Sequence, residues 1–143
     1  MAIFVNLNLI HEINNDLSTG LDCSIHIWNV SNLSFVHKVE KAHEKAITSV
    51  AATSNYLFTG SLNVIKVWKI QESDSNHTKA PIEFLLDLEA GGVSNYVRSL
   101  AVNQGRLFAG STKLLTIWNI ENFKITRQVN IPGIIFSLCV IKG

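Results

Sequence analysis

Apolar and polar positions alternate in the same order three times along this 143-residue chain. LFTGSLNVIKVWKI at 57–70 and LFAGSTKLLTIWNI at 107–120 are close copies, and LSTGLDCSIHIWNV at 17–30 is a fainter third. Gly20, Gly60 and Gly110 anchor the copies. Trp28, Trp68 and Trp118 each follow their glycine by eight residues, and Leu17, Leu57 and Leu107 each precede it by three. The likeness extends upstream: ITSVAATSNYLFTG at 47–60 aligns without gaps to VRSLAVNQGRLFAG at 97–110. LNLIHEINNDLSTG at 7–20 follows at lower fidelity, and IFSLCVIKG at 135–143 reads as the start of a fourth copy. The first two copies are offset by 40 residues and the last two by 50, the difference being a polar insertion, QESDSNHTKAP, at 71–81.

The period within each copy is two, which is that of a strand with distinct faces, and no stretch sustains a helical period. The pattern predicts strands over 5–11, 16–20, 24–29 and 34–40; 46–52, 56–61, 64–70 and 82–88; 96–103, 106–111, 114–120 and 123–130; and 134–141. Turn residues separate them, among them Ser54-Asn55 and Gln104-Gly105. Four short strands in a unit of ~40 residues, with a Trp in the third, read as the blade of a β-propeller. One such sheet cannot bury both faces alone, and face-to-face stacking does so. Gly at the end of the second strand fits a close approach between neighbouring blades. The fold expected is therefore all-β: three four-stranded antiparallel blades (5–40, 46–88, 96–130), the first strand of another (134–143), and an open ring.

These motifs resemble the WD-repeat β-propeller family over essentially the whole chain. The YLFTGS…IKVW phrasing is similar to the propellers of TRAF-type ubiquitin ligases, of α-kinases acting on myosin heavy chains, and of some CCCH zinc-finger proteins. The resemblance implies a buried hydrogen-bond network of His, Ser or Thr, Asp and Trp in each blade. No blade has all four. The second has His43, Thr59 and Trp68, but Leu62 in place of the Asp, with Asn63 beside it. The first has Asp22 and no preceding His; the third has Val93 at the His position and Thr112 at the Asp position. The dipeptide is Trp-Asn, Trp-Lys and Trp-Asn, never Trp-Asp. The structural set is thus Trp28, Trp68, Trp118, Gly20, Gly60, Gly110, His43 and Asp22.

Composition narrows the function. Hydrophobic residues make up 47% of the chain and charged ones 16%, so a packed core is expected and disorder is not. The formal net charge is +1 and the Lys and Arg residues are scattered, which argues against capture of nucleic acid or an anionic membrane. Cys23 and Cys139 form no disulfide framework and suit a reducing cytoplasmic or nuclear location. Cys23 and His26, three apart in a strand, point to opposite faces and make a poor metal pair. Gly91-Gly92 lacks a phosphate-loop context, and Ser61 and Ser111 lack a nucleophile elbow. No catalytic residue, metal or cofactor is expected.

The resemblance implies instead a peptide- or protein-binding face where fourth-to-first loops meet second-to-third turns. Tyr96, Arg98, Lys45, Asn95 and Lys113 are the candidates there, Tyr and Arg being side-chain types that dominate interfaces. The function expected is a non-catalytic interaction or scaffold module, in the setting of a substrate-recruiting propeller of a ubiquitin ligase or kinase. The alternatives are a truncated product without independent function, and an enzyme using a propeller channel; the mostly apolar inner strands, with Arg98 their one charge, speak against the latter. Three units do not close a ring, so missing sequence or self-association would have to complete it.

Overall fold

The computed structural model describes residues 3–6, 15–19, 23–29, 32–72, 79–91 and 95–141. Among these residues there is no helix, and twelve strands form three antiparallel sheets. Sheet 1 contains β1 (Ile3–Asn6), β2 (Asn15–Thr19), β3 (Ile25–Asn29) and β4 (Phe35–Val39). Sheet 2 contains β5 (Ser49–Ala52), β6 (Tyr56–Gly60), β7 (Val64–Ile70) and β8 (Ile82–Glu89). Sheet 3 contains β9 (Ser99–Asn103), β10 (Arg106–Gly110), β11 (Thr112–Asn119) and β12 (Lys124–Ile134). Each is a meander, with strands adjacent in chain order, and the first strands of neighbouring sheets lie against one another.

Three boundaries depart from the sequence reading. The first strand covers Ile3–Asn6, not 5–11, and its register sets Val5 opposite Leu17. The ungapped alignment would put Glu12 there, a charged residue poorly suited to a packed strand. Next, β5 and β9 begin at Ser49 and Ser99, later than expected, and ahead of β9 the chain is tied in part to sheet 2. Tyr96 bridges Leu62, and Val97 N donates to Ser61 O at 3.0 Å, both in the preceding sheet. Finally, residues 135–141 are not a strand. β12 runs on to Ile134, and no neighbouring strand among the described residues supplies the ladder that 135–141 would need.

The core lies between sheets. Phe58, Ile65 and Val67 of sheet 2 pack against Val97, Leu107 and Trp118 of sheet 3. On its other side, Leu57 and Trp68 of sheet 2 pack against Ile25 and Ile27 of sheet 1. Alternate residues of one strand thus face different neighbours, which is why period two marks a fully stacked sheet here. Each such side chain contributes roughly 1.5–3 kcal/mol by burial.

The glycines do what the repeat implies. A Cβ on Gly60 would lie 2.7 Å from Val97 Cγ1 and 2.9 Å from Val97 Cβ, so only hydrogen fits beneath the next sheet. Ile135 covers Gly110 in the same way, its Cβ 2.9 Å from the place a methyl group on that glycine would take. Gly20 lies outside the described residues.

Two regularities lie beyond the sequence reading. The third residue after each repeat glycine is left-handed: Cys23 (φ 61°), Asn63 (φ 61°) and Lys113 (φ 62°). This conformation is what lets the short second-to-third turn close, and Asn tolerates it better than Cys or Lys. Each sheet also has a register shift at its Trp, between Ile27/Trp28, Val67/Trp68 and Ile117/Trp118. The shift sets Trp28 opposite Phe35 and Trp68 opposite Phe84, edge to face at 5.4 and 5.6 Å. Such bulges bend the outermost strand and blunt its open edge.

Candidate functional site

The central polar network is that of sheet 2. Residues 40–48 bring His43 back over β6, where it is 3% exposed. Its Nε2 lies 2.7 Å from Thr59 Oγ1, and Trp68 Nε1 donates to the same oxygen at 2.9 Å. Thr59 can receive the indole hydrogen and give its own to Nε2. The ring proton then sits on Nδ1, which is buried with no hydrogen-bond partner. Burial, with Lys66 nearby, lowers the His43 pKa to about 4, against smaller opposing effects of Asp87 and Thr59. His43 is therefore neutral at pH 7 and holds sheet 2 together; it is not placed as an acid or base. Leu62 stands at the position where the resemblance implies an Asp, and it has no carboxylate to offer. Asn63 is turned the other way, its Oδ1 accepting from Asn95 N at 2.7 Å. Asp22 lies outside the described residues.

Sheet 3 has Ala109 in place of Thr59 and is fastened differently. Asn95 is buried between sheets 2 and 3, and its amide donates to Ser111 Oγ at 3.0 Å while its Oδ1 accepts from Thr112 N at 3.0 Å. Asn63 N also donates to Asn95 O at 2.8 Å. Sequence reasoning groups Asn95 with the binding residues; the structure places it as a clamp between sheets, its side chain turned inward. Ser61 is equally structural, donating to the carbonyls of Lys45 and Ala46 at 3.1 and 2.8 Å.

The remaining candidates divide between two loops and a turn. Lys45 and Lys113 are exposed, Lys113 at the tip of its left-handed turn. Tyr96 is half-buried beside Leu62. Arg98 is half-buried, with N donating to Gly110 O at 2.9 Å, and its guanidinium lies 5.5 Å from the ring centre of Phe136. Arg98 Nε is buried without a hydrogen-bond partner. Phe136, which sequence reasoning does not single out, is 70% exposed. The signal that could find it is its alignment with Arg98, in IFSLCV against VRSLAV. Arg98, Phe136 and the 111–113 turn thus share one end of sheet 3. The 71–81 insertion joins β7 to β8 at the opposite end, closed at its base by Gln71 N donating to Pro81 O at 2.9 Å.

Residues 34–69, from the end of sheet 1 through the third strand of sheet 2, match the family model described as WD domain, G-beta repeat. That stretch resembles one WD repeat. The solved structures similar to it include "Crystal structure of RRP9 WD40 repeats", at 21% identity and TM-score 0.69, covering 82% of this chain and 35% of that one. "Structure of U3-55K" is similar at 21% identity and TM-score 0.69, covering 82% and 36%. The chain therefore spans about a third of the length of these two propellers. No curated protein sequence matches it. The fold recurs in 741 solved chains, so it leaves function to be argued from the surface. Among the described residues no group of three His, Cys, Asp or Glu side chains could hold a metal ion.

Proposed function

We propose that these WD blades form a non-catalytic docking module for a protein segment, bound at the loop-and-turn end of sheets 2 and 3. The carrying observation is Arg98 stacked on the exposed ring of Phe136 beside the Lys113 turn. A flat cation over an accessible aromatic suits a peptide carrying a carboxylate next to an apolar side chain. The ring supplies area, and the guanidinium supplies planar hydrogen-bond donors. The scattered basic residues favour this over nucleic acid, which a broader positive patch would serve better. In a larger protein the module would bring substrates to a catalytic domain, of ubiquitin ligase or kinase type, in the cytoplasm or nucleus.

The test is selection of binders from a random peptide library, followed by titration of one selected peptide against wild type, Arg98→Ala, Phe136→Ala and Lys124→Ala. Lys124, on the outer strand of sheet 3, is the control. Removing either member of the stacked pair should weaken binding about tenfold, as for an interface anchor worth more than ~1 kcal/mol, while Lys124→Ala leaves it unchanged. Equal affinity for all four folded proteins would refute this face.

A further inference from the structure

The strands β4, β8 and β12 each end their sheet, with a paired strand on one side only among the described residues. Such edges invite pairing with foreign backbone, and proteins guard against it with short strands, lysine, proline or bulges. β4 is five residues long and carries Lys38. β12 carries Lys124, Arg127 and Pro132 and has two register shifts. β8 is eight residues long, has no lysine, arginine or proline, and has one shift, at Trp68. From Leu86 to Glu89 its ladder with β7 is regular. It is the least guarded edge of the three. Sheet 2 also has a neighbouring sheet on each face, so this edge does not depend on what stands beyond sheets 1 and 3.

The chemistry along this edge alternates. Leu86 and Leu88 turn toward sheet 3, Leu88 within the core and Leu86 packed against it. Asp87 and Glu89, on the other face by the period of two, are exposed, and Asp87 accepts from Lys66 at 3.1 Å. Phe84 and Leu85, 48% and 43% exposed, lie just ahead. β7 already shows what kind of strand suits β8. Its VIKVWKI sets Lys66 opposite Asp87, with Val67 and Ile65 opposite Leu86 and Leu88. A strand on the open side would meet the acids at the ~5 Å of cross-strand neighbours, and Lys66 only across two strands, at roughly 10 Å. Its positions beside Asp87 and Glu89 therefore favour lysine or arginine, and those beside Leu86 and Leu88 favour apolar side chains.

We propose that the outer edge of β8 docks an extended segment of another protein, in which basic and apolar side chains alternate, as an added strand of sheet 2. Backbone hydrogen bonds fasten such a segment, and the side chains set its register. This edge is distinct from the loop end where Arg98 and Phe136 meet, so the two readings stand or fall separately.

The probe is a fluorescent peptide of four Lys-Val repeats, titrated against the full chain at low salt. A second peptide, with proline for each valine, keeps the charge and cannot form the ladder. The Lys-Val peptide should bind saturably and protect amides of 82–89 from hydrogen exchange. The Lys-Pro peptide should bind at least about tenfold more weakly and protect nothing there. Asp87→Asn with Glu89→Lys should weaken the Lys-Val peptide about tenfold, whereas Glu40→Lys and Arg98→Ala leave it unchanged. No saturable binding of the Lys-Val peptide, equal binding of the two peptides, or protection that spares 82–89 overturns the proposal. So does full affinity in a double variant that melts cooperatively. Should that variant fail to fold, the two peptides and the exchange pattern on wild type decide alone.

Discussion

Sheets 2 and 3 are written in nearly the same residues and are stabilised in different ways. Sheet 2 lies between two neighbours and carries the His43–Thr59–Trp68 network; its Phe58 and Val67 are fully buried. Sheet 3 has no histidine at that place, has Ala109 for Thr59, leaves Phe108 and Ile117 half-buried, and is joined to sheet 2 by Asn95. A repeat specifies strand pattern and the stacking glycine. How firmly each copy is held depends on what covers it and on a few polar residues that need not repeat.

The largest contrast should be in the core. Phe58→Ala should cost about 3–5 kcal/mol in a denaturant titration, since the cavity opens between two packed sheets. Phe108→Ala, at the equivalent half-buried position, should cost roughly half as much at protein concentrations low enough to leave that face open. Equal costs would mean that the face of sheet 3 is already covered.

Acid should act on sheet 2 through His43. Its pKa is about 4 in the fold, below its ordinary value, so the unfolded chain takes up a proton at higher pH than the folded one. The stability of the neutral imidazole is complete above about pH 6.5 and is lost as pH falls toward 4. The loss should amount to about 2–3 kcal/mol at the acid end of this window. Melting curves across the window should show it, and His43→Leu should remove most of the slope. An unchanged slope would place the responsible group elsewhere.

The stacking glycines give the next contrast. Gly60→Ala should cost about 1–3 kcal/mol, because Val97 leads directly into β9, whose ladder with β10 restrains it. Gly110→Ala should cost under about 1 kcal/mol, because Ile135 lies in a segment without strand pairing and can shift. Thermal melts of the two variants side by side check this, and equal losses would show 135–141 to be as firmly held as the start of sheet 3.

The smallest effect is at the turns. Lys113→Gly should stabilise by up to ~1 kcal/mol by relieving a left-handed non-glycine residue. Asn63→Gly should not, since it also removes the acceptor for Asn95 N. Denaturation midpoints that move together in the two variants would show that the Asn63 contact contributes nothing.

Much of the fold is legible in the sequence because period-two alternation and the Gly–Trp spacing are local. Apart from β1 and the far end of β12, the strands lie within a few residues of their expected positions, and Gly60 and Gly110 act as the repeat implies. The candidate face is legible only in part. Tyr96, Arg98, Lys45 and Lys113 lie on separate loops and a turn, Asn95 faces inward, and Phe136 carries no local mark of its contact with Arg98. Which way a loop side chain points depends on the neighbouring sheet, and that neighbour is distant in sequence.

The sequence by itself determined that the chain would make four-stranded β units and that they would stack, since alternating apolar residues on both faces leave no other way to exclude water. The resemblance already grouped His43 with Thr59 and Trp68; the tertiary structure alone decided that Asn95 meets Ser111 and that Arg98 meets Phe136. It also decided that 135–141 would rest in a first-strand position without strand pairing. Strand formation needs a partner's backbone groups at matching height, and whether a partner is there is a fact of three-dimensional arrangement that local pattern does not carry.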